Sequence, residues 1–229
     1  MNIRHRIVAL VLLTLTAIAG IGGYSVLLSN RNAAEVKRVT EGIVPSALAS
    51  GDLVSHLKDV QLATIAVVTA PDENLAKQSA GKLSGQIKTL QDALELQLKS
   101  ASSEAQKGLV TQAKESAANY VAAINDTVKF KLAGQKEMAE ANLYAGVAMY
   151  QEEIGQIVDT LRIEKGRAKD EAFLNLNQNL AGAVNAILLL TVLAVLILGG
   201  VGVLLYRQVI HPIGRMQQMM SDIATHQDF

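Results

Sequence analysis

The stretch Ala183–Tyr206, AVNAILLLTVLAVLILGGVGVLLY, decides the fold of this chain because it is long, apolar and without a single charge. At about 1.5 Å of rise per residue, a helix of this length crosses the ~30 Å hydrocarbon core of a bilayer. A second uncharged stretch, Ile7–Leu28, has a comparable length. A buried core helix is the alternative, but the absence of a polar face argues against it. The sequence therefore predicts two transmembrane helices.

The basic residues beside these stretches predict their orientation. Arg4 and Arg6 precede the first stretch, whereas Arg207 and Arg215 follow the second. Positive charge favours the cytoplasmic side, and the intervening segment is too long for its own lysines to count. We therefore expect both short ends in the cytoplasm and the segment between the two helices outside it, which means the periplasm where the membrane is the inner membrane of a Gram-negative bacterium. The predicted order is a cytoplasmic N-terminus (1–6), a transmembrane helix (7–28), a periplasmic domain (29–182), a second transmembrane helix (183–206) and a cytoplasmic segment (207–229).

The N-terminus also permits a second interpretation. A basic start, an apolar run and the small residues Ala17 and Ala19 are typical of a cleavable signal peptide. The apolar run, however, continues through Leu28, which is too long for such a peptide. We therefore favour an uncleaved anchor, and a mature protein that begins at Gly20 would contradict it.

Composition excludes several classes of function. The 21 basic and 21 acidic residues balance, so no basic surface points to nucleic acid as a partner. There is no cysteine, and His56 is the only histidine between the two apolar stretches. No nucleophile and base, and no group of metal ligands, stand at a recognisable spacing. The sequence predicts no catalytic residue, no metal, no cofactor and no enzymatic activity.

The segment between the apolar stretches reads as four helices, each with apolar residues that step by three and four. Pro45 lies inside the first helix, which we expect it to kink. The tetrapeptide Ser103–Gln106 has the form of a capping box, and Gly134 is a typical helix stop. The predicted helices run to about Thr69, over Pro71–Lys99 with proline at the first position, from Ser103 to about Gly134, and from Gln135 into the second apolar stretch.

Helices with one apolar face are stable mainly when they bury that face against each other. Short connections and a three–four spacing favour antiparallel neighbours that cross at shallow angles. The predicted fold is therefore all-α: an antiparallel up-down-up-down four-helix bundle continuous with two transmembrane helices. Two separate coiled-coil hairpins are the alternative, which the short connections disfavour.

After the second apolar stretch, the residues Pro212, Ile213, Met216, Met220 and Ile223 predict a short amphipathic helix in coiled-coil register. This segment resembles the first helix of a HAMP linker, a cytoplasmic signal-transmission element. The resemblance includes Ala224, Asp228 and Phe229, whereas Thr225-His226-Gln227 replaces the usual glycine before the aspartate. We expect Pro212, Ile213, Met216, Met220 and Ile223 to transmit the signal.

The whole chain resembles the sensory half of a methyl-accepting chemotaxis protein. A basic N-terminus, two anchors, Ile43-Val44-Pro45 low on the first helix and Gly134-Gln135 before the last helix carry the likeness. It implies a homodimer whose output passes to a chemotaxis kinase and its adaptor. The second HAMP helix, the methylated helices and the kinase-contacting tip have no counterpart here, so the sequence is expected to be a fragment or a truncated product.

In that family, ligands bind between the bundles of a dimer, near the first and fourth helices, and arginines hold amino-acid ligands. No arginine occurs between Val39 and Leu161, so that grip is absent. Counting residues from each membrane edge gives other candidates for a small organic or aromatic acid, or for contact with a periplasmic binding protein. The alternative is that Thr64 and Tyr150 belong to the bundle core and that the Lys58 side chain is solvated. The candidate ligand-binding residues are Lys58, Gln61, Thr64, Tyr144, Tyr150 and Gln151.

Three functions remain open at this point. A chemoreceptor sensor module that signals through the second transmembrane helix is the first. The same sensor also precedes histidine kinases and diguanylate cyclases, which sequence beyond residue 229 would distinguish. A bundle that only dimerises or scaffolds is the third, and ligand-induced thermal stabilisation would count against it.

Overall fold

The computed structural model describes residues 3–207, and all regular elements in that part are helical. The predicted signal-transmission residues Pro212, Ile213, Met216, Met220 and Ile223 lie outside the described residues. The elements are α1 (Ile3–Lys37), π1 (Arg38–Ile43), α2 (Val44–Thr69), α3 (Glu73–Lys99), α4 (Glu104–Leu132), α5 (Lys136–Asn142), π2 (Leu143–Val147) and α6 (Ala148–Leu205).

One compact unit, Val36–Asn175, is the four-helix bundle. Its helices are α2, α3, α4 and a fourth that is made of α5, π2 and the first part of α6. Only a few residues connect each helix to the next. Because such short connections cannot span the length of a helix, consecutive helices pack antiparallel. The prediction of an all-α, antiparallel four-helix bundle is confirmed. The unit is shorter than the predicted domain 29–182.

All four helices contribute to a single apolar core. Leu53 of α2, Leu90 of α3, Ile124 of α4 and Ile154 of α6 are completely buried. Each such side chain contributes roughly 1.5–3 kcal/mol of transfer free energy. The stripes predicted from three–four spacing therefore supply the contacts that hold the bundle together.

Local sequence signals begin two of these helices. Asp72 caps α3 by accepting a hydrogen bond from the Leu75 N–H at 2.8 Å. The helix therefore begins at Glu73, and Pro71 precedes the cap instead of occupying the predicted first position. Ser103 caps α4 by accepting from the Gln106 N–H at 3.2 Å. Both acceptors satisfy backbone donors that a helix start leaves without partners.

The end of α4 follows the predicted stop at Gly134, whose φ is +74°. The Gln135 N–H donates to the Phe130 carbonyl at 2.9 Å, and the Gly134 N–H donates to the Lys131 carbonyl at 3.1 Å. This pair of bonds is a Schellman motif, which requires the left-handed conformation that glycine adopts without strain.

Two π-helical segments interrupt helices that the sequence predicts as continuous. Pro45 lies in the first turn of α2, directly after π1. Proline has no N–H and crowds the preceding turn, so a change of hydrogen-bond pattern just before it relieves the conflict. The second interruption, π2, contains no proline, and no local sequence pattern predicts it.

The second unit consists, within the described part, of residues 3–35 and 176–207. Its large apolar side chains are mostly exposed, for example Leu12 and Leu196. Two helical runs, Ile7–Thr69 and Lys136–Leu205, each contain a stretch that is long and apolar enough to cross a membrane. Those stretches are not buried against protein, as a soluble core helix would be.

Candidate functional site

Five of the six predicted ligand-binding residues lie on α2 and α6, which run side by side, whereas Tyr144 lies in π2. A methyl carbon of Leu57 lies 3.8 Å from the position that a Cβ on Gly155 would occupy. Further along, the Lys165 Nζ lies 2.6 Å from the Ser46 Oγ. These two contacts make the helices antiparallel. One turn beyond Leu57, Gln61 therefore comes level with Gln151.

The predicted residues around that level differ in exposure. Gln61, Tyr150 and Gln151 are half-buried, and Lys58 is exposed. The ring of Tyr150 packs against the bundle core. Thr64 is fully buried, and its hydroxyl donates to the Val60 carbonyl of its own helix at 2.8 Å. The side chains that remain accessible to a ligand are thus Lys58 and the two glutamines, beside the edge of the tyrosine.

Tyr144 lies almost two turns along the chain from Gln151, in the middle of π2. It is 80% exposed, the largest exposure of the large apolar and aromatic side chains of the bundle. Its position within π2 separates it from the level of Gln61 and Gln151. The structure therefore places the two glutamines at the same height on adjacent helices and leaves Tyr144 apart from them.

Asn142, which was not among the predicted site residues, holds the helix turn before Tyr144. Its Nδ2 donates to the Ala123 carbonyl at 3.0 Å and to the Thr127 Oγ1 at 2.9 Å. A Cβ on Gly146 would lie 2.7 Å from the Asn142 Oδ1, closer than atoms of this kind approach. Glycine is thus the residue that leaves room for this asparagine beside π2.

A second polar cluster surrounds Lys165, which is only 3% exposed although it carries an ammonium group. Its Nζ donates to the Ser46 Oγ at 2.6 Å, and to the Oγ and the carbonyl oxygen of Ser100, both at 3.2 Å. Within the described chain it has no carboxylate partner. Three helices thus meet around a cation whose partners are all neutral oxygens.

The hydroxyl groups of this cluster form a directed chain. Ser46 donates to the Ser100 Oγ at 2.8 Å, and Ser100 donates to the Gln97 carbonyl at 3.2 Å. The Gln97 Nε2 donates to the Ser46 carbonyl at 3.1 Å. Both hydroxyls therefore use their protons elsewhere and offer only lone pairs to Lys165.

Burial lowers the pKa of the Lys165 ammonium from 10.5 to about 8. The cause is desolvation, because an apolar environment disfavours the charged form. Neutral hydroxyl and carbonyl oxygens compensate only part of that cost, since none of them carries a full negative charge. Near neutral pH the cluster still holds a positive charge.

A groove of about 270 Å³ opens beside this cluster. Gln106 is 2% exposed and borders the groove. Its Oε1 accepts from the Ser102 N–H at 3.0 Å and from the Ser102 Oγ at 3.1 Å. These bonds fix the amide, so the predicted capping box closes on Ser102 instead of on the Ser103 N–H. The groove is lined by Arg38, Gly42, Ile43, Ser46, Ser100, Ser102, Gln106, Lys165 and Ala168.

A signal for Lys165 was present in the sequence. It stands between Leu161 and Ala168 on the apolar stripe of the fourth helix, at the spacing of a core residue. A lysine at such a position either extends its amine to the surface or is buried with partners. The partners, Ser46 and Ser100, are distant in the sequence, so only the fold reveals which of the two occurs.

Among residues 3–207, no cluster of three or more histidine, cysteine, aspartate or glutamate residues is arranged to hold a metal ion. The charged pairs of the bundle are mostly within one helix and exposed. The Lys114–Glu95 pair, at 2.6 Å between α4 and α3, is an exception. The hydrogen bond and charge of Lys114 lower the pKa of Glu95.

Comparison with known proteins gives one match. Residues 1–178 match the family described as a four helix bundle sensory module for signal transduction. Modules of this family are typically the periplasmic domains of membrane receptors. No curated protein and no solved structure matches the chain significantly.

Proposed function

The chain belongs to the family of four-helix-bundle sensory modules for signal transduction, and from this premise we propose that it is the sensor half of a transmembrane chemoreceptor. The observation that carries the proposal is α6, a single α-helix over Ala148–Leu205. It contains both the buried stripe of the bundle's fourth helix and most of the apolar stretch Ala183–Tyr206. A shift or rotation of this helix within the bundle would therefore also move its apolar stretch.

The proposed topology has residues 7–28 and 183–206 in the inner membrane and residues 29–182 in the periplasm. The exposed apolar surface of both stretches supports it, because such surface is stable in lipid and unfavourable in water. Residues 207–229 then enter the cytoplasm as the start of a HAMP linker. Cysteine-accessibility labelling of single cysteines at Ser84 and at Ser221 tests this arrangement in intact cells, since the native chain has none.

The proposed mechanism is a shift between two states of the bundle. A ligand moves this equilibrium only as far as its affinities for the two states differ. A site built from α2 and α6 suits that task, because any relative movement of the two helices changes the distances within the site. The chain itself would then catalyse nothing, and a separate chemotaxis kinase and adaptor would receive the signal.

For the ligand we propose a small organic or aromatic acid, bound by Lys58, Gln61, Gln151 and the edge of Tyr150, or a loaded periplasmic binding protein that docks there. Of the other two predicted residues, Thr64 is buried and Tyr144 lies apart from this group, so neither is part of the proposed site. The level arrangement of Gln61 and Gln151 and the exposure of Lys58 support the site. Lysine attracts the acid group, and tyrosine combines an apolar face with a hydroxyl.

Calorimetry of the full chain in lipid nanodiscs tests this site with a panel of organic and aromatic acids. Lys58→Ala and Tyr150→Ala should each weaken binding at least fivefold, whereas Lys82→Ala, at an exposed position on α3, should not. Binding that is unchanged in both site variants would reject the proposed residues.

A homodimer is proposed from the outer surface of α2. Leu48 and Leu62 are 66% and 63% exposed and stand two heptads apart, so they share one face. Ile65 extends the same face. Such an apolar strip is typical of an interface between helices. Leu62→Lys should reduce crosslinking between copies, whereas Lys82→Glu should leave it unchanged.

The signalling part of the proposal is tested by fusing the chain to the cytoplasmic domain of a characterised chemoreceptor. The expected result is a ligand-dependent change in kinase activity of the fusion. A fusion that is inserted and dimeric but silent to every bound ligand would contradict the chemoreceptor assignment. Ligand-dependent output only when the chain is fused to a histidine kinase or a diguanylate cyclase would favour the alternative function.

A further inference from the structure

The groove beside Lys165 is a second place in the bundle that is chemically suited to a ligand. It lies within the bundle unit, and its lining residues come from π1, α2, the turn before α4, α4 itself and α6. None of the predicted ligand-binding residues lines it. The groove is therefore distinct from the site proposed on α2 and α6.

The first observation is a buried cation without a counter-charge. Lys165 is only 3% exposed, and its partners in the described chain are hydroxyl and carbonyl oxygens. Burying an ammonium group is costly unless an anion compensates it. The two bonds to Ser100, at 3.2 Å, are longer than charge-assisted bonds usually are. The three donors of the ammonium thus meet only neutral oxygens, and an anion could replace the two long bonds.

The second observation is an unused donor on Gln106. Its Oε1 is occupied by both donors of Ser102, which fixes the orientation of the amide. The Nε2 at the other end donates no hydrogen bond to any described residue. The Nε2 is not among the polar atoms that are sealed from solvent without a partner, and the residue borders the groove, so the free amide group is accessible from the groove.

The rest of the lining agrees with these two donors. None of the residues that line the groove is acidic, and Arg38 adds a second basic group. A volume of about 270 Å³ is below the usual range for drug-sized ligands and suits a small molecule. A ligand with negative charge and several acceptor oxygens satisfies all these features at once.

We propose that this groove binds a small oxyanion, a carboxylate or a phosphate group, through the Lys165 ammonium and the Gln106 amide. The bound anion supplies the counter-charge that Lys165 lacks and the acceptor that the Gln106 Nε2 lacks. The site joins α6 to α2 and to the start of α4, so its occupancy stabilises one arrangement of three helices. This inference does not depend on the chemoreceptor assignment, because it concerns binding to the bundle alone.

The experiment is calorimetric titration of the full chain in nanodiscs with acetate, malonate and inorganic phosphate, at constant ionic strength against chloride. At least one of the three should bind. Lys165→Met should weaken that binding at least tenfold and Gln106→Met at least threefold, whereas Lys82→Met removes the same charge at an exposed site and should change it less than twofold. Binding of the organic acids alone identifies a carboxylate site, and binding of phosphate alone identifies a phosphate site.

A second variant protects the test against misfolding. Ala168→Leu enlarges a lining residue and leaves Lys165 in place, so it should reduce anion binding at least fivefold while thermal unfolding stays cooperative. Helical circular dichroism of each variant checks the fold. Failure of all three anions to bind, or binding that Lys165→Met and Ala168→Leu leave unchanged, would overturn the proposal.

Proton uptake gives an independent readout. Arg38, the other basic group of the lining, stays charged throughout the accessible pH range. At pH 8, where about half of the Lys165 side chains have lost their proton, an anion that contacts the ammonium should draw protons from the buffer. Titrations in two buffers of different ionisation enthalpy measure this uptake, which should vanish in Lys165→Met. Binding without any uptake would place the anion elsewhere.

Discussion

The clusters around Asn142 and Lys165 both join the fourth helix of the bundle to other helices, but they treat their polar groups differently. Asn142 is neutral, and both of its donor bonds are to acceptors 2.9–3.0 Å away. Lys165 is charged, and two of its three bonds are 3.2 Å long. The first cluster pairs both of its amide hydrogens, whereas the second pairs a charge only with neutral oxygens and leaves the neighbouring Gln106 Nε2 without a partner in the described chain.

This difference distinguishes polar groups that stabilise the fold from polar groups that are suited to bind a ligand. A neutral donor that is fully paired stabilises one arrangement of helices at little cost. A buried cation that only neutral oxygens solvate is a net cost to folding, and a bound anion would offset that cost. The bundle therefore fixes its structure at Asn142 and keeps Lys165 available for binding.

The largest effect is expected from Lys165→Met, which should stabilise the chain by roughly 2 kcal/mol at pH 7 without added anion. Removing the ammonium leaves no donor unsatisfied, since Ser46 and Ser100 already donate elsewhere. Thermal unfolding followed by circular dichroism measures the change, with Lys82→Met as the exposed control. A clear loss of stability would show that the lysine is a structural tie.

This effect has a defined dependence on pH. Because the folded pKa of Lys165 is lowered from 10.5 to about 8, the unfolded chain binds more protons between those values. Stability of the native chain should therefore rise relative to Lys165→Met as pH rises from 8 to 10.5. Below pH 8 the advantage of the variant should be constant. If the difference in unfolding free energy between Lys165→Met and the native chain stays constant from pH 8 to 10.5, Lys165 is not a buried group with a lowered pKa.

The next effect is expected from Asn142→Ala, which should destabilise the chain by about 1–2 kcal/mol. The variant removes two interhelical hydrogen bonds, although Thr127 still donates to the Ala123 carbonyl at 2.9 Å. Asn125→Ala, at an exposed position on α4, is the matched control and should be nearly neutral. If both variants unfold with the same free energy, the hydrogen bonds of Asn142 do not stabilise the bundle.

Gly146→Ala should destabilise by about 1 kcal/mol, because the new methyl group would displace the Asn142 side chain from its two bonds. Gly85→Ala, where an added Cβ meets no atom within 4 Å, should instead stabilise α3 by about 0.5–1 kcal/mol. Combining Gly146→Ala with Asn142→Ala tests the coupling. The glycine substitution should cost nothing further once the asparagine is gone.

The smallest effect is expected from Tyr120→Phe. The hydroxyl of Tyr120 is fully buried and has no hydrogen-bond partner among the described residues, and burial raises the pKa of this phenol. Removing it should stabilise the chain by about 0.5–1 kcal/mol, because an unsatisfied buried polar group is unfavourable. Tyr144→Phe, at an exposed ring, is the control and should leave the unfolding temperature unchanged.

Much of the fold could be predicted from neighbours in the sequence. The stripe positions from Leu53 to Leu161, the cap at Ser103 and the stop at Gly134 depend on spacings of three or four residues and on the conformation of single residues. The prediction at Pro71 was wrong by two positions, because Asp72 offers a better cap. The interruption at π2 was missed because no proline or other local signal marks it.

Some residues of the candidate sites could be predicted from the sequence and others could not. Lys58 and Tyr144 were predicted because the residue type and the height along a helix follow from the sequence alone. Lys165 and Gln106 did not, because their meaning depends on Ser46, Ser100 and Ser102 and on the groove between them. Those residues meet only after three helices have packed.

The sequence by itself determined the two apolar stretches, the four helices and most of their ends. These features follow from hydrophobic periodicity and from hydrogen bonds between near neighbours, which act before any tertiary contact forms. Only the tertiary structure decided that Lys165 is buried, that its partners are neutral and that the Gln106 amide borders a groove. Burial, desolvation and interhelical hydrogen bonds belong to the packed bundle, so no local pattern can specify them.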